Sequence, residues 1–144
     1  MKKLSKKRCL LDTNILVAFL NRKHRYHSQT RKIFEKLANK EFEGVISSQN
    51  LLELAAVLVH GFRLPKKEVA KDLCLFASDP IFEIIYPNRE VLERFFKLMK
   101  KENRLHIVDL FLLATALEHR IEVLVTADTG FLKSKEIEVY NPFV

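Results

Sequence analysis

The period of the apolar positions changes repeatedly along this chain, and each change marks an element. Cys9-Leu10-Leu11 is a short continuous apolar run ending at Asp12, the pattern of a buried strand. Thr13 to Leu20 reads as a helix, and Ile33, Phe34, Leu37 and Ala38 form the apolar stripe of a second. Gly44 to Ser47 is another short strand. Leu51 to Val59 is apolar almost all round and predicts a buried helix. Pro65 suits the first turn of the next helix, with Val69, Ala70, Leu73, Cys74 and Ala77 as its inner face. Ile81 to Tyr86 is a strand stopped by Pro87. Val91, Leu92, Phe95, Leu98 and Met99 mark an amphipathic helix, and Leu110 to Leu117 a nearly all-apolar one. Val123 to Thr126 and Ile137 to Tyr140 close the series as strands.

Strands written as continuous apolar runs and alternating with helices predict an α/β fold. Its architecture is three-layer α/β/α, with a mainly parallel sheet covered on both faces. There is no internal repeat, low-complexity segment or Pro/Gly/Ser linker, and 144 residues suit one domain. We expect that domain to run from residue 9 to residue 144, after a basic stretch over residues 1–8 that reads as a frayed tail.

Composition narrows the chemistry. Three glycines, far apart, leave no dinucleotide-binding turn and no phosphate-binding loop. No G-x-S-x-G elbow or H-E-x-x-H zinc helix is present. Cys9 and Cys74 build neither a disulfide framework nor a zinc site, and read as buried thiols of a reducing compartment. No apolar stretch reaches the roughly 18 residues of a membrane span, and no cleavable leader is recognisable, so a cytoplasmic location is expected. Twenty-five Lys and Arg against 18 Asp and Glu give a net charge of +7, which points to a polyanionic partner.

Four acids stand in apolar surroundings. Asp12 ends the first strand, Glu53 is the only charge between Leu51 and Val59, Asp109 opens the all-apolar helix, and Asp128 follows the strand Val123 to Thr126. Asp12, Asp109 and Asp128 also suit helix N-caps. Glu53, inside a helix, has no such role and needs either a solvent cleft or a cation. Ligands of an open parallel sheet bind beyond the carboxyl ends of its strands, where all four acids can converge. Clustered carboxylates repel, and an all-oxygen set selects a hard ion, Mg²⁺ or Mn²⁺, over zinc. Such an ion with open water positions is suited to attack on a phosphodiester.

The stretches CLLDTNIL, ISSQNLLELAAVL, HIVDLFLLATAL and LVTADTGF, taken in order, resemble the PIN domain, and most closely the VapC-type toxins of toxin–antitoxin pairs. The resemblance implies a metal-dependent endoribonuclease in which Asp12, Glu53, Asp109 and Asp128 hold Mg²⁺ or Mn²⁺. It implies supporting roles for Asn14 and Thr126, a cognate antitoxin and a homodimer. Many members of that family carry another acid two residues after the last of the four, where this chain has Gly130. A housekeeping PIN nuclease of RNA processing and a non-catalytic RNA-binding module on the same fold are the alternative readings. A phospho-aspartate phosphatase is disfavoured, because Asp12-Thr13-Asn14 lacks the second acid of its motif.

Arg22, Lys23, Arg25, Arg63, Lys66, Lys67 and Lys133 are candidate phosphate contacts for RNA. His24 and His27 lie among the first of these and read as solvated or phosphate-facing. Setting the four clustered acids aside leaves 25 basic against 14 acidic residues, a balance of +11 around an anionic pocket.

Overall fold

The computed structural model describes residues 2–102 and 104–144, with Lys2 and Lys133 described by backbone alone. Its five strands are β1 (Arg8–Leu11), β2 (Glu43–Ser47), β3 (Phe82–Ile85), β4 (Val123–Val125) and β5 (Glu138–Tyr140). They form one sheet in the order β3-β2-β1-β4-β5, parallel throughout. Parallel neighbours need crossovers, and helices supply them. These are α1 (Thr13–Leu20), α2 (His27–Ala38), α3 (Ser48–Ala56), α4 (Lys66–Ala77), α5 (Arg89–Lys101) and α6 (Ile107–Glu118).

Alternation along the strands divides the core in two. Cys9 and Leu11 of β1, Ile46 of β2 and Val123 and Val125 of β4 pack with Ile15, Leu16, Ile33, Phe34 and Leu54 of α1, α2 and α3. Leu10, Val45 and Leu124, on the other face, pack with Val91 and Leu98 of α5 and with Leu110, Leu113 and Ala114 of α6. This is the three-layer arrangement expected from the apolar runs. Gly44 brings α2 close to the sheet, since a β-carbon there would lie 2.8 Å from the Leu37 methyls. Both α2 and α6 end on a left-handed residue that is not glycine, Lys40 (φ 59°) and Arg120 (φ 55°). The Glu41 amide donates to the Lys36 carbonyl and the Ile121 amide to the Ala116 carbonyl, which closes each helix end.

Several expectations are corrected. The stretch Leu51–Val59 is not a buried helix: Leu54 and Leu58 face the core, while Leu52 is 71% exposed. The helix also widens into a π-helical turn over Val57–Gly61. In α4, Ala70 and Cys74 point to solvent, so Cys74 is an exposed thiol, and Cys9 alone is buried. The basic N-terminal stretch, from Leu4 onward, is docked rather than frayed. Leu4 is 1% exposed in the core, and the Lys6 amide donates to the Glu41 carbonyl. Apolar residues on a surface are common, so composition alone does not separate a buried helix face from an exposed one. Among the described residues, no helix is long and apolar enough to cross a membrane.

Candidate active site

The chain runs outward from β1 through β2 to β3, then returns to the other side of β1 as β4 and β5. The strand order therefore reverses between β1 and β4, and a crevice opens beyond their carboxyl ends. Leu11 pairs with Val125, which sets Asp12 beside Thr126. Asp12 caps α1, its Oδ1 accepting from the Thr13 amide at 2.8 Å. Glu53 lies one turn into α3, Asp109 in the first turn of α6, and Asp128 caps the 3₁₀ turn Thr129–Lys133 by accepting from the Gly130 amide at 2.8 Å.

These four acids line one cavity of about 390 Å³, together with Thr13, Asn14, Val17, His24 and Val57. Asp12 is only 7% exposed and receives four donors. Besides the Thr13 amide, they are Thr126 Oγ1 at 2.7 Å, Asn50 Nδ2 at 3.2 Å and Asn14 Nδ2 at 3.4 Å. Asn14 also accepts from the Ala127 amide at 3.1 Å, and Thr126 Oγ1 from the Asp128 amide at 3.0 Å. Glu53 accepts from Thr13 Oγ1 at 3.1 Å and from Gln49 Nε2 at 2.8 Å. Its place in the helix is therefore satisfied by two neutral donors at a cleft.

The electrostatics is that of crowded anions. Burial raises the Asp12 carboxyl above its ordinary value, with Glu53 and Asp128 adding repulsion, against the lowering effect of its bonds to Thr126 and Thr13. Asp109 is pushed up to about 6, first by burial, then by repulsion from Asp128 and Asp12 and a hydrogen bond with Asp128, while His106 opposes the rise. Among the described residues, no Lys or Arg forms an ion pair with any of the four. The chemistry of the donor set suits a hard divalent cation: four carboxylates, oxygen only, facing one open cavity. As placed here, and among the described residues, no three Asp, Glu, His or Cys side chains stand close enough together to hold a metal ion.

The model of the PIN domain family matches residues 9–136. The chain belongs to the PIN domain family. As a PIN domain it is similar to solved structures along nearly its whole length. One is a toxin–antitoxin complex from Klebsiella pneumoniae, 26% identical, covering 94% of this chain and 98% of that one, with a TM-score of 0.65. Another is VapBC2 from Rickettsia felis bound to a DNA fragment from its promoter, 23% identical, covering 93% and 98%, with a TM-score of 0.71. A third is VapC20 of Mycobacterium tuberculosis, a sarcin–ricin loop cleaving toxin, 14% identical, covering 90% and 98%, with a TM-score of 0.68. No curated protein matches the sequence.

The PIN domain does not bring every candidate residue to the crevice. Arg22, Lys23 and Arg25 are exposed on the loop between α1 and α2, which passes the cavity at His24. Arg25 lies over the Tyr26 ring, 4.4 Å from its centroid. Arg63, Lys66 and Lys67 are exposed beyond the π-helical turn, and none of the six lines the cavity. The Lys133 side chain lies outside the described residues. Gly130 has a local reason to be glycine: a β-carbon there would lie 3.1 Å from Asp128 Oδ1, against the carboxylate its amide holds. Sequence reasoning passed over Thr13, Gln49 and Asn50. The available signal was Gln49-Asn50, a polar pair one turn before Glu53 in an otherwise apolar helix.

Proposed function

We propose that this PIN domain is a Mg²⁺- or Mn²⁺-dependent endoribonuclease, the toxin of a toxin–antitoxin pair acting in the cytoplasm. One observation carries the proposal: Asp12, Glu53, Asp109 and Asp128 line a single cavity at the strand-order reversal, and among the described residues no cationic side chain is paired to them. The toxin–antitoxin relatives of the same fold support the biological role, and the sarcin–ricin loop cleaving toxin among them supports RNA as substrate. An antitoxin encoded with this chain and a second copy of it are the implied protein partners.

Asp12, Glu53, Asp109 and Asp128 would hold the ion. A bound divalent cation supplies an acidified water and neutralises charge building on the phosphoryl oxygens. The protein's own contribution begins with Asp12, whose four donors fix both carboxylate oxygens before substrate arrives. Thr126 and Asn14 tie that carboxylate to the backbone leading to Asp128, so the two acids share one frame. Asp109, whose carboxyl is raised to about 6, is a carboxylate suited, once ionised, to take a proton from water. The exposed Arg22, Lys23, Arg25, Arg63, Lys66 and Lys67 would grip flanking phosphates and set affinity rather than sequence choice.

The test is cleavage of a structured RNA with Mg²⁺ or Mn²⁺ and with chelator. We expect 5′-phosphate and 3′-hydroxyl ends, no cleavage in chelator, and a rate lowered by about a hundredfold or more in Asp12→Asn and Asp109→Asn. Cyclic phosphate products, or full activity in either variant, would overturn the assignment.

A further inference from the structure

Asn50 is buried completely in the first turn of α3, on the face that packs into the core, where the neighbouring inward residue, one turn on, is Leu54. A leucine would satisfy the packing there. The amide instead spends both of its N–H bonds on the crevice. Asn50 Nδ2 donates to Asp12 Oδ1 at 3.2 Å and to Thr13 Oγ1 at 3.1 Å. Thr13 Oγ1, already accepting that bond, turns its own proton toward Glu53 Oε2 at 3.1 Å, with the Asn50 carbonyl a longer second acceptor at 3.5 Å. The result is a continuous path from Asp12 through Asn50 and Thr13 to Glu53.

Its direction is fixed by the chemistry of the groups. An amide nitrogen only donates, and both carboxylates only accept when ionised, so the protons run outward from Asn50 to the two acids. Reversing the amide would turn Oδ1 onto the Asp12 carboxylate and remove the donor from Thr13. The orientation seen leaves Asn50 Oδ1 buried with no hydrogen-bond partner among the described residues. A buried acceptor without a partner is a cost to folding that a fold-only residue would not carry. Glu53 has a second restraint in Gln49, and Asp12 has Thr126 and Asn14 on its other oxygen.

We propose that Asn50 and Thr13 are positioning residues: together they bridge Asp12 and Glu53 and hold these two mutually repelling carboxylates in one frame on the crevice wall, from which both can serve a divalent cation. The inference rests on the metal-site reading above and adds the device that presets the site. The bridge contributes no ligand of its own. Its loss should weaken ion binding, whereas a residue that merely fills space should change stability alone.

The experiment is Mn²⁺ titration of the free protein at neutral pH, read from the electron paramagnetic resonance of the unbound ion, with melting in chelator measured alongside. Wild type, Asn50→Leu, Thr13→Val and Thr13→Ser are compared. Asn50→Leu and Thr13→Val are expected to weaken Mn²⁺ binding by about 10- to 100-fold, the range for outer partners of metal ligands, while Thr13→Ser keeps the hydroxyl and stays near wild type. If Asn50→Leu does not fold, the Val and Ser pair at position 13 still decides the matter. Equal Mn²⁺ affinity in folded Thr13→Val and Thr13→Ser would overturn the bridge and leave the metal site standing. Failure of the wild type to bind Mn²⁺ would overturn both.

Discussion

Among the described residues, each end of the central sheet gathers a set of carboxylates, and the two sets are handled in opposite ways. At the amino ends of the strands stand Glu43, Glu83, Glu122 and Glu138, around Lys7 and Arg8 at the start of the central strand. Arg8 Nη2 reaches Glu83 at 2.8 Å, Nε lies 3.9 Å from Glu43, and the Arg8 amide donates to Glu122 at 3.2 Å. Lys7 pairs with Glu138 at 3.0 Å. At the carboxyl ends, the donors to Asp12 and Glu53 among the described residues are all neutral, and Asp109 and Asp128 repel each other. Charge pairing at the first end fastens strands together. Neutral pairing at the second fixes carboxylates while leaving their charge uncancelled, and that charge is what an external cation can use.

Breaking the paired end gives the largest effect on stability. Arg8→Met strands Glu83 and Glu43 and removes the bond from Arg8 Nη1 to the His119 carbonyl. Glu83 and Glu43 are more than half exposed and stay hydrated, so we expect a loss of about 1–2 kcal/mol, seen as a lower urea midpoint at unchanged slope. Mn²⁺ binding at the far end should be unaffected. An unchanged midpoint would remove the distinction between the two ends.

Asp109→Asn sharpens the comparison in the opposite sense. The folded Asp109 carboxyl sits near 6, above its ordinary 3.8. Between those values the folded state holds a proton that the unfolded state has released, so the wild type loses stability as pH rises through this window and stays lower above it. Without metal, the variant should melt higher than wild type at pH 8 and equally at pH 3.5. Added Mg²⁺ should raise the wild-type melting point and leave the variant nearly unmoved. A variant that melts lower at pH 8 would mean the acid stabilises the fold. The smallest effect belongs to the exposed rim of the paired end: Glu138→Gln should cost less than about 0.5 kcal/mol in the same urea titration, and that little should vanish in high salt.

Most of the fold was legible because its strands are short apolar runs bounded by polar residues, and the four acids were legible because each interrupts such surroundings. Burial was less legible. Leu52 and Leu54 are the same residue type two positions apart, yet one faces solvent and the other the core, since the angle between them on a helix exceeds half a turn. Asn50 escaped notice because its role depends on Thr13, 37 residues away. Arg8 escaped because its partners arrive from three other strands or their approaches. Such pairings follow from register, which the apolar pattern of a single strand does not contain.

The parallel sheet also orders events in time. Thr126 grips Asp12 across a sequence separation of 114 residues, and β4 enters the sheet only after α6 has been made. A growing chain that stops short of Thr126 already carries Asp12, Glu53 and Asp109, but it has neither the hydroxyl that orients the first acid nor the fourth acid. On the nuclease reading proposed above, the site is completed only with the last strands, and most of translation passes before all four acids stand together.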